Sequence, residues 1–119
     1  MKKLNILLVD DNAIMQLIQS TLVKGYGHDV TTAGSGEEAM QMLANQAFDL
    51  VLMDCQMPGM DGMQTTQKLR QQGNRTPIIA LTGNDTHEDR AACQASGMDG
   101  FLAKPMEKPA FEREVARFI

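Results

Sequence analysis

The chain has 119 residues, 43% of them apolar, and a net charge of −4 from fifteen acidic and eleven basic side chains. That composition builds one core of ordinary size, so one domain is expected over 1–119, and charge scattered without a basic cluster lacks the footprint of a nucleic-acid binder. No apolar run is long enough to span a membrane, and Asp10 cuts Ile6-Leu7-Leu8-Val9 well short of a signal-peptide core; only two cysteines, far apart and outside any ligand spacing, read as reduced thiols in a cytoplasmic chain.

In chain order, apolar runs alternate with helical patterns, the signature of an α/β protein whose parallel sheet is covered on both faces. Strands are predicted at Asn5–Val9, Asp29–Ala33, Leu50–Met53, Ile78–Leu81 and Gly100–Leu102. The third and fourth are apolar throughout, as suits strands buried on both faces, and are expected to be central. After the first strand, Ile14, Leu17, Ile18 and Leu22 share one helical stripe. Ser35-Gly36-Glu37-Glu38 reads as a capping box opening the second helix, whose stripe holds Ala39, Met42 and Leu43. Gly25, Gly73 and Gly97 stand where helices should stop, and Pro109 suits the start of a last helix running through Phe111, Val115 and Phe118.

In an open parallel sheet, ligands bind beyond the carboxyl ends of the strands. The first strand delivers Asp10 and Asp11 there, the third Asp54, the fourth Thr82, and the fifth is followed by Lys104-Pro105. Crowded carboxylates repel one another unless a cation sits among them. All-oxygen donors without imidazole or thiolate suit a hard cation, and a few carboxylates leaving room for water suit Mg²⁺, with Mn²⁺ able to substitute. Metal, ammonium and hydroxyl together are what a transferred phosphoryl group needs, since that chemistry rests on positioning and charge neutralisation. Asp54, central among the strand ends, is the expected nucleophile, with Lys104 pairing one phosphoryl oxygen and Thr82 hydrogen-bonding another.

The stretches VDDN at 9–12, MDCQMPGMDG at 53–62, ALTGN at 80–84 and LAKP at 102–105 carry a resemblance over nearly the whole chain. It resembles the receiver domain of two-component response regulators, most of all those of hybrid sensor kinases and phosphorelay proteins. The resemblance implies a flavodoxin-like, doubly wound five-stranded parallel sheet of order 2-1-3-4-5 with five helices. It implies that Asp54 is phosphorylated from a phosphohistidine, that Asp11 and Asp54 ligate the metal directly, that Asp10 acts largely through water, and that the Gln56 backbone carbonyl completes the set. It further implies a switch in which Thr82 moves toward the phosphoryl group and Phe101 turns inward. Many relatives have tyrosine where this chain has Phe101, so an output that needs that hydroxyl is in doubt here. Gln56 and Asn84 occupy positions that tune phosphoryl lifetime, and the Lys104-Pro105 bond is expected to be cis. The implied partner is a histidine kinase dimerisation domain or a histidine phosphotransfer domain, docking near Ala13, Ile14 and Met15. Such a domain is a phosphoacceptor with self-phosphotransfer and autodephosphorylation, not an enzyme in its own right; a free-standing regulator and a piece of a hybrid kinase both stay open.

Simpler readings exist for each residue. Paired aspartates after a strand often form a turn or cap, and a lysine is by default on the surface. The conjunction of five such residues at strand ends is what those readings do not explain. Asp61-Gly62 is expected to serve the turn into the third helix. Cys55 and Cys93 are expected as reduced, half-buried thiols, and His28 and His87 as surface or half-buried histidines. Gly34-x-Gly36-x-x-Ala39 imitates a dinucleotide fingerprint, with Asp54 about 20 residues on. Glu37 and Glu38, however, put negative charge where a pyrophosphate would sit. A phosphatase of the haloacid dehalogenase type wants an acid where Gln56 stands. The remaining alternative is a degenerate receiver that only binds a partner.

Overall fold

The computed structural model describes residues 2–55, 62–83, 87–104 and 106–118, apart from the side chains of His87 and Asp89. Its elements are β1 (Asn5–Val9), α1 (Ala13–Gly25), β2 (Asp29–Ala33), α2 (Gly36–Asn45), β3 (Leu50–Asp54), α3 (Gly62–Gln71), β4 (Ile78–Thr82), α4 (His87–Ala95), β5 (Gly100–Ala103) and α5 (Lys108–Val115), then a short 3₁₀ turn. The five strands form one sheet of order β2-β1-β3-β4-β5, parallel at every pairing. The last three strands each run one residue beyond the expected end, so Asp54 and Thr82 close β3 and β4 as strand residues.

Alternation along the strands divides the core in two. Ile6, Leu8, Leu50, Leu52, Ile79 and Leu81 point to the side where Val23 of α1 and Phe111 and Val115 of α5 pack. Leu7, Val9, Val51, Met53, Ile78 and Ala80 point to the other, against Ala39, Leu69 and Cys93 of α2, α3 and α4. Fully burying each large aliphatic side chain contributes roughly 1.5–3 kcal/mol. A one-residue slip of β3 would exchange both sets and turn Asp54 away, so the core itself holds the register. Arg70 ties the far end of the sheet, donating to the carbonyls of Gly97, Asn74 and Thr76 and to the Asp99 carboxylate at 2.7 Å.

Three sequence expectations change. Of the α1 stripe, Ile14, Leu17 and Ile18 face outward, at 69%, 68% and 48% exposure, and Leu22 is half-buried, while Gln19, Ser20 and Val23 are buried. Gln16 lies on the sheet side of the helix, where its amide donates to the carbonyls of Asp10 (2.5 Å) and Ala33 (3.2 Å). Gly25 remains helical, and the left-handed turn falls on Gly27 (φ 102°), while Gly73 and Gly97 adopt positive φ as expected. His28 is buried rather than superficial: its Nδ1 accepts the Leu4 N–H at 3.0 Å and its ring lies against Phe111.

Candidate functional site

Asp10 extends the β1 ladder by one bond, its N–H donating to Ala33 carbonyl at 3.0 Å. The chain then turns at once into α1, because Asn12 caps that helix by accepting the Ile14 and Met15 N–H groups at 2.9 and 3.0 Å. The Asp10 Oδ1 accepts the Asn12 N–H at 3.0 Å, which holds the carboxylate at the strand tip. Its Oδ2 is buried without a hydrogen bond among the described residues. Asp10 and Asp54 are 1% and 5% exposed, whereas Asp11 is open to solvent.

These carboxylates converge as the strand ends predict: one oxygen from each of Asp10, Asp11 and Asp54 lies within 4.8 Å of the others. The Lys104 ammonium stands 3.6 Å from Asp10 Oδ2 and 3.5 Å from Asp54 Oδ2, and only 20% of its side chain is exposed. The Lys104 backbone N–H donates to the Thr82 carbonyl at 2.8 Å, so the end of β4 helps to place the lysine. Thr82 is buried at that strand end.

Opposed ligands on an octahedral Mg²⁺ lie about 4 Å apart. Three oxygens that all lie within 4.8 Å of one another could share one such ion after drawing together. Hard donors only, one of them a buried oxygen lacking a hydrogen bond, fit Mg²⁺ better than a softer metal.

Gly62 has a role that the sequence reading missed. It is the first residue of α3, and a Cβ built there would run into the Asp54 carbonyl and Met53 Cγ. The absent side chain lets α3 begin directly against the phosphoacceptor candidate; a single glycine in one sequence carries no mark of such an approach. Gln16 and Asn12 were also missed as supports, although asparagine ahead of an apolar helical pattern is an ordinary cap signal. Gln56, Asn84 and Pro105 lie outside the described residues, as do Met57, Met60 and Asp61. Phe101 is half-buried on β5, with the Arg90 guanidinium 4.5 Å from its ring centroid.

The dinucleotide-like stretch resolves as helix capping. Ser35 Oγ accepts the Glu38 N–H at 3.1 Å, and the Glu38 carboxylate reaches back to the Gly34 N–H at 3.3 Å. Two of the donors that a pyrophosphate would approach there are engaged by the chain's own oxygens.

Comparison with known proteins places the chain in a family. The family model of the response regulator receiver domain matches residues 6–116. The sensor histidine kinase GacS of Pseudomonas protegens is 39% identical over 119 residues, covering 96% of this chain and 12% of the kinase. RcsC of Salmonella typhi is 37% identical over 93% of this chain and 12% of its own length. The chain thus spans about an eighth of the curated kinases it matches. Among solved structures, the receiver domain of sensor histidine kinase PA1611 from Pseudomonas aeruginosa, with magnesium coordinated in its active-site cleft, is 37% identical at TM-score 0.87, covering 98% of both chains. The chemotaxis protein CheY4 of Vibrio cholerae is 28% identical at TM-score 0.88, covering 99% of this chain and 100% of that one. No helix among the described residues is long and apolar enough to cross a membrane. The chain belongs to the response regulator receiver domain family.

Proposed function

We propose that residues 1–119 form one receiver domain in which Asp54 accepts a phosphoryl group from a partner's phosphohistidine. A carboxylate oxygen of Asp54 attacks phosphorus, the P–N bond breaks and neutral imidazole departs. Lys104 pairs with one phosphoryl oxygen and the Thr82 hydroxyl donates to another. Asp10, Asp11, Asp54 and the Gln56 carbonyl would hold Mg²⁺ or Mn²⁺, which when bound neutralises both the acidic cluster and the incoming phosphoryl oxygens. The observation that carries the reading is the Lys104 ammonium placed between the buried Asp10 and Asp54 carboxylates, at 3.6 and 3.5 Å.

Partner choice follows from α1. Its outward stripe of Ile14, Leu17 and Ile18 begins beside the acidic cluster, and an exposed apolar helix face is what docks on another helix pair. The partner is a histidine kinase dimerisation domain or a histidine phosphotransfer domain, and the setting is cytoplasmic. Phosphorylation then shifts a population in which Thr82 and Phe101 change position. Phe101 borders a cleft of about 330 Å³ lined also by Arg90, Met98, Glu114 and Arg117, and its rotation would reshape that surface. Gln56 and Asn84 set how long the phosphoryl group lasts.

Acetyl phosphate with Mg²⁺ tests the acceptor. Intact mass should gain one phosphoryl group in the natural chain and none in Asp54→Asn, and an equal gain in the variant would move the acceptor elsewhere. A natural chain that gains nothing in either Mg²⁺ or Mn²⁺ would favour the purely binding receiver.

A further inference from the structure

Cys55 follows Asp54 directly, and Cys93 lies far along the chain on α4, yet their Sγ atoms are 3.1 Å apart in the interior. Neither is in a disulfide, and both are more buried than the sequence suggested, at 7% and 4% exposure. Cys93 is also the sole buried residue of α4 among those whose side chains are described: Glu88, Arg90, Ala91, Ala92, Gln94 and Ala95 are all exposed. The helix therefore rests on the sheet through the very side chain that touches Cys55. An element with so little buried apolar area belongs to the low-stability end of a fold and opens locally more readily than its neighbours.

From this contact we infer that Cys55 and Cys93 form a reversible disulfide that acts as a redox clamp on α4. A disulfide has an S–S length of about 2.05 Å, so the sulfurs need to close by about 1 Å. The oxidant is a low-molecular-weight disulfide such as oxidised glutathione. When α4 opens, the Cys93 sulfur attacks one sulfur of the oxidant, whose S–S bond breaks and releases one thiol. The Cys55 sulfur then displaces the second thiol from the mixed disulfide. Both protein thiol protons pass to the leaving thiolates, so two thiols are oxidised and one disulfide is reduced. In a reducing compartment such a bond is transient, which suits a sensor more than a staple.

The consequence rests on the proposed function. A bond from the residue after the phosphoacceptor to α4 holds that helix in its present place, so the rearrangement that follows phosphorylation is opposed and Asp54 is charged more slowly.

The test uses the full chain, fully reduced or treated with oxidised glutathione. After denaturation and maleimide labelling, the reduced chain should carry two labels and the oxidised chain none, with a mass lower by two hydrogens. Peptide mapping should join the segments holding Cys55 and Cys93. Amide exchange along α4 should slow on oxidation, and acetyl phosphate uptake should fall about fivefold or more, the lower end of ordinary site coupling. Cys93→Ala, with Cys93→Val as the better-filled alternative should the first lose its fold, should take up phosphoryl groups at one rate under both conditions. Retained labels, a stable glutathione adduct or a bond only between chains would overturn the disulfide. Unchanged α4 exchange in a chain proven to be cross-linked would overturn the clamp. A reduced chain that takes no phosphoryl group would instead defeat the proposed function, with thiol labelling and α4 exchange still deciding the clamp.

Discussion

Replacing Asp54 by asparagine should stabilise the metal-free fold. Its carboxylate lies within 4.8 Å of Asp10 through their nearest oxygens, a repulsion of about 3.5 kcal/mol at an effective dielectric of 20. Asp11 adds to this, but it is exposed and screened. Against these stands the attraction of Lys104 at 3.5 Å, about 4.7 kcal/mol on the same scale. The two Coulombic effects nearly cancel, so the desolvation of a carboxylate only 5% exposed, typically several kcal/mol, decides the sign. After allowance for screening at a site open on one side, a gain of about 1–2 kcal/mol is expected, or about 4–8 °C in Tm for a chain of this size. Urea and thermal melts with EDTA measure it directly. Mg²⁺ at a hundred times its dissociation constant should then stabilise the natural chain by about 2.7 kcal/mol. The variant, lacking one carboxylate, should gain much less, so the order of stabilities closes or reverses. A variant less stable than the natural chain in EDTA, or an equal Mg²⁺ effect on both, would refute this account of the acidic cluster.

Gly62→Ala forces a methyl group onto the Asp54 carbonyl and Met53, and backbone cannot give way as a flexible side chain would. A loss of roughly 1–3 kcal/mol in urea melts, with slower acetyl phosphate uptake, is expected; natural stability would show that α3 shifts freely. Leu17→Asp, on the outward α1 stripe, should leave folding and acetyl phosphate uptake intact while cutting transfer from a phosphorylated histidine partner by about tenfold, the effect of roughly 1.4 kcal/mol at a binding surface. Equal transfer from the partner would place docking elsewhere. Burial holds the His28 imidazole below its ordinary pKa of 6.5, opposed by the Glu112 carboxylate, and its Nδ1 must stay unprotonated to accept the Leu4 N–H. The unfolded chain therefore binds the proton more readily, so this contribution is complete above about pH 6.5 and is lost as pH falls through the folded value. Urea midpoints should decline over that interval in the natural chain and stay flatter in His28→Leu; identical slopes would remove His28 as the source.

Much of this protein is legible along the chain because its strands are short, apolar and separated by helices with ordinary caps. Leu50–Met53 and Ile78–Leu81 have no polar face to hide, so only a central place in a covered sheet suits them. Once such a sheet is accepted, Asp10, Asp11, Asp54 and Lys104 must meet at its carboxyl edge, since parallel strands all end on one side. Periodicity gives each helix an apolar stripe but does not say what the stripe faces. In α1 it reads Ile14, Leu17, Ile18 and Leu22, yet the residues buried are Gln19, Ser20 and Val23, and the first three of the stripe are left for solvent.

What local pattern determined, then, is the order of elements and the kinds of side chain at the strand ends. Tertiary structure alone decided the contact of Cys55 with Cys93, the burial of His28 and the seat of Gly62 against Asp54. The physical reason is range. Hydrogen bonding and hydrophobic alternation act between near neighbours and leave their trace in spacing, whereas contacts between distant segments depend on how finished elements stack, to tolerances of an ångström that no spacing records.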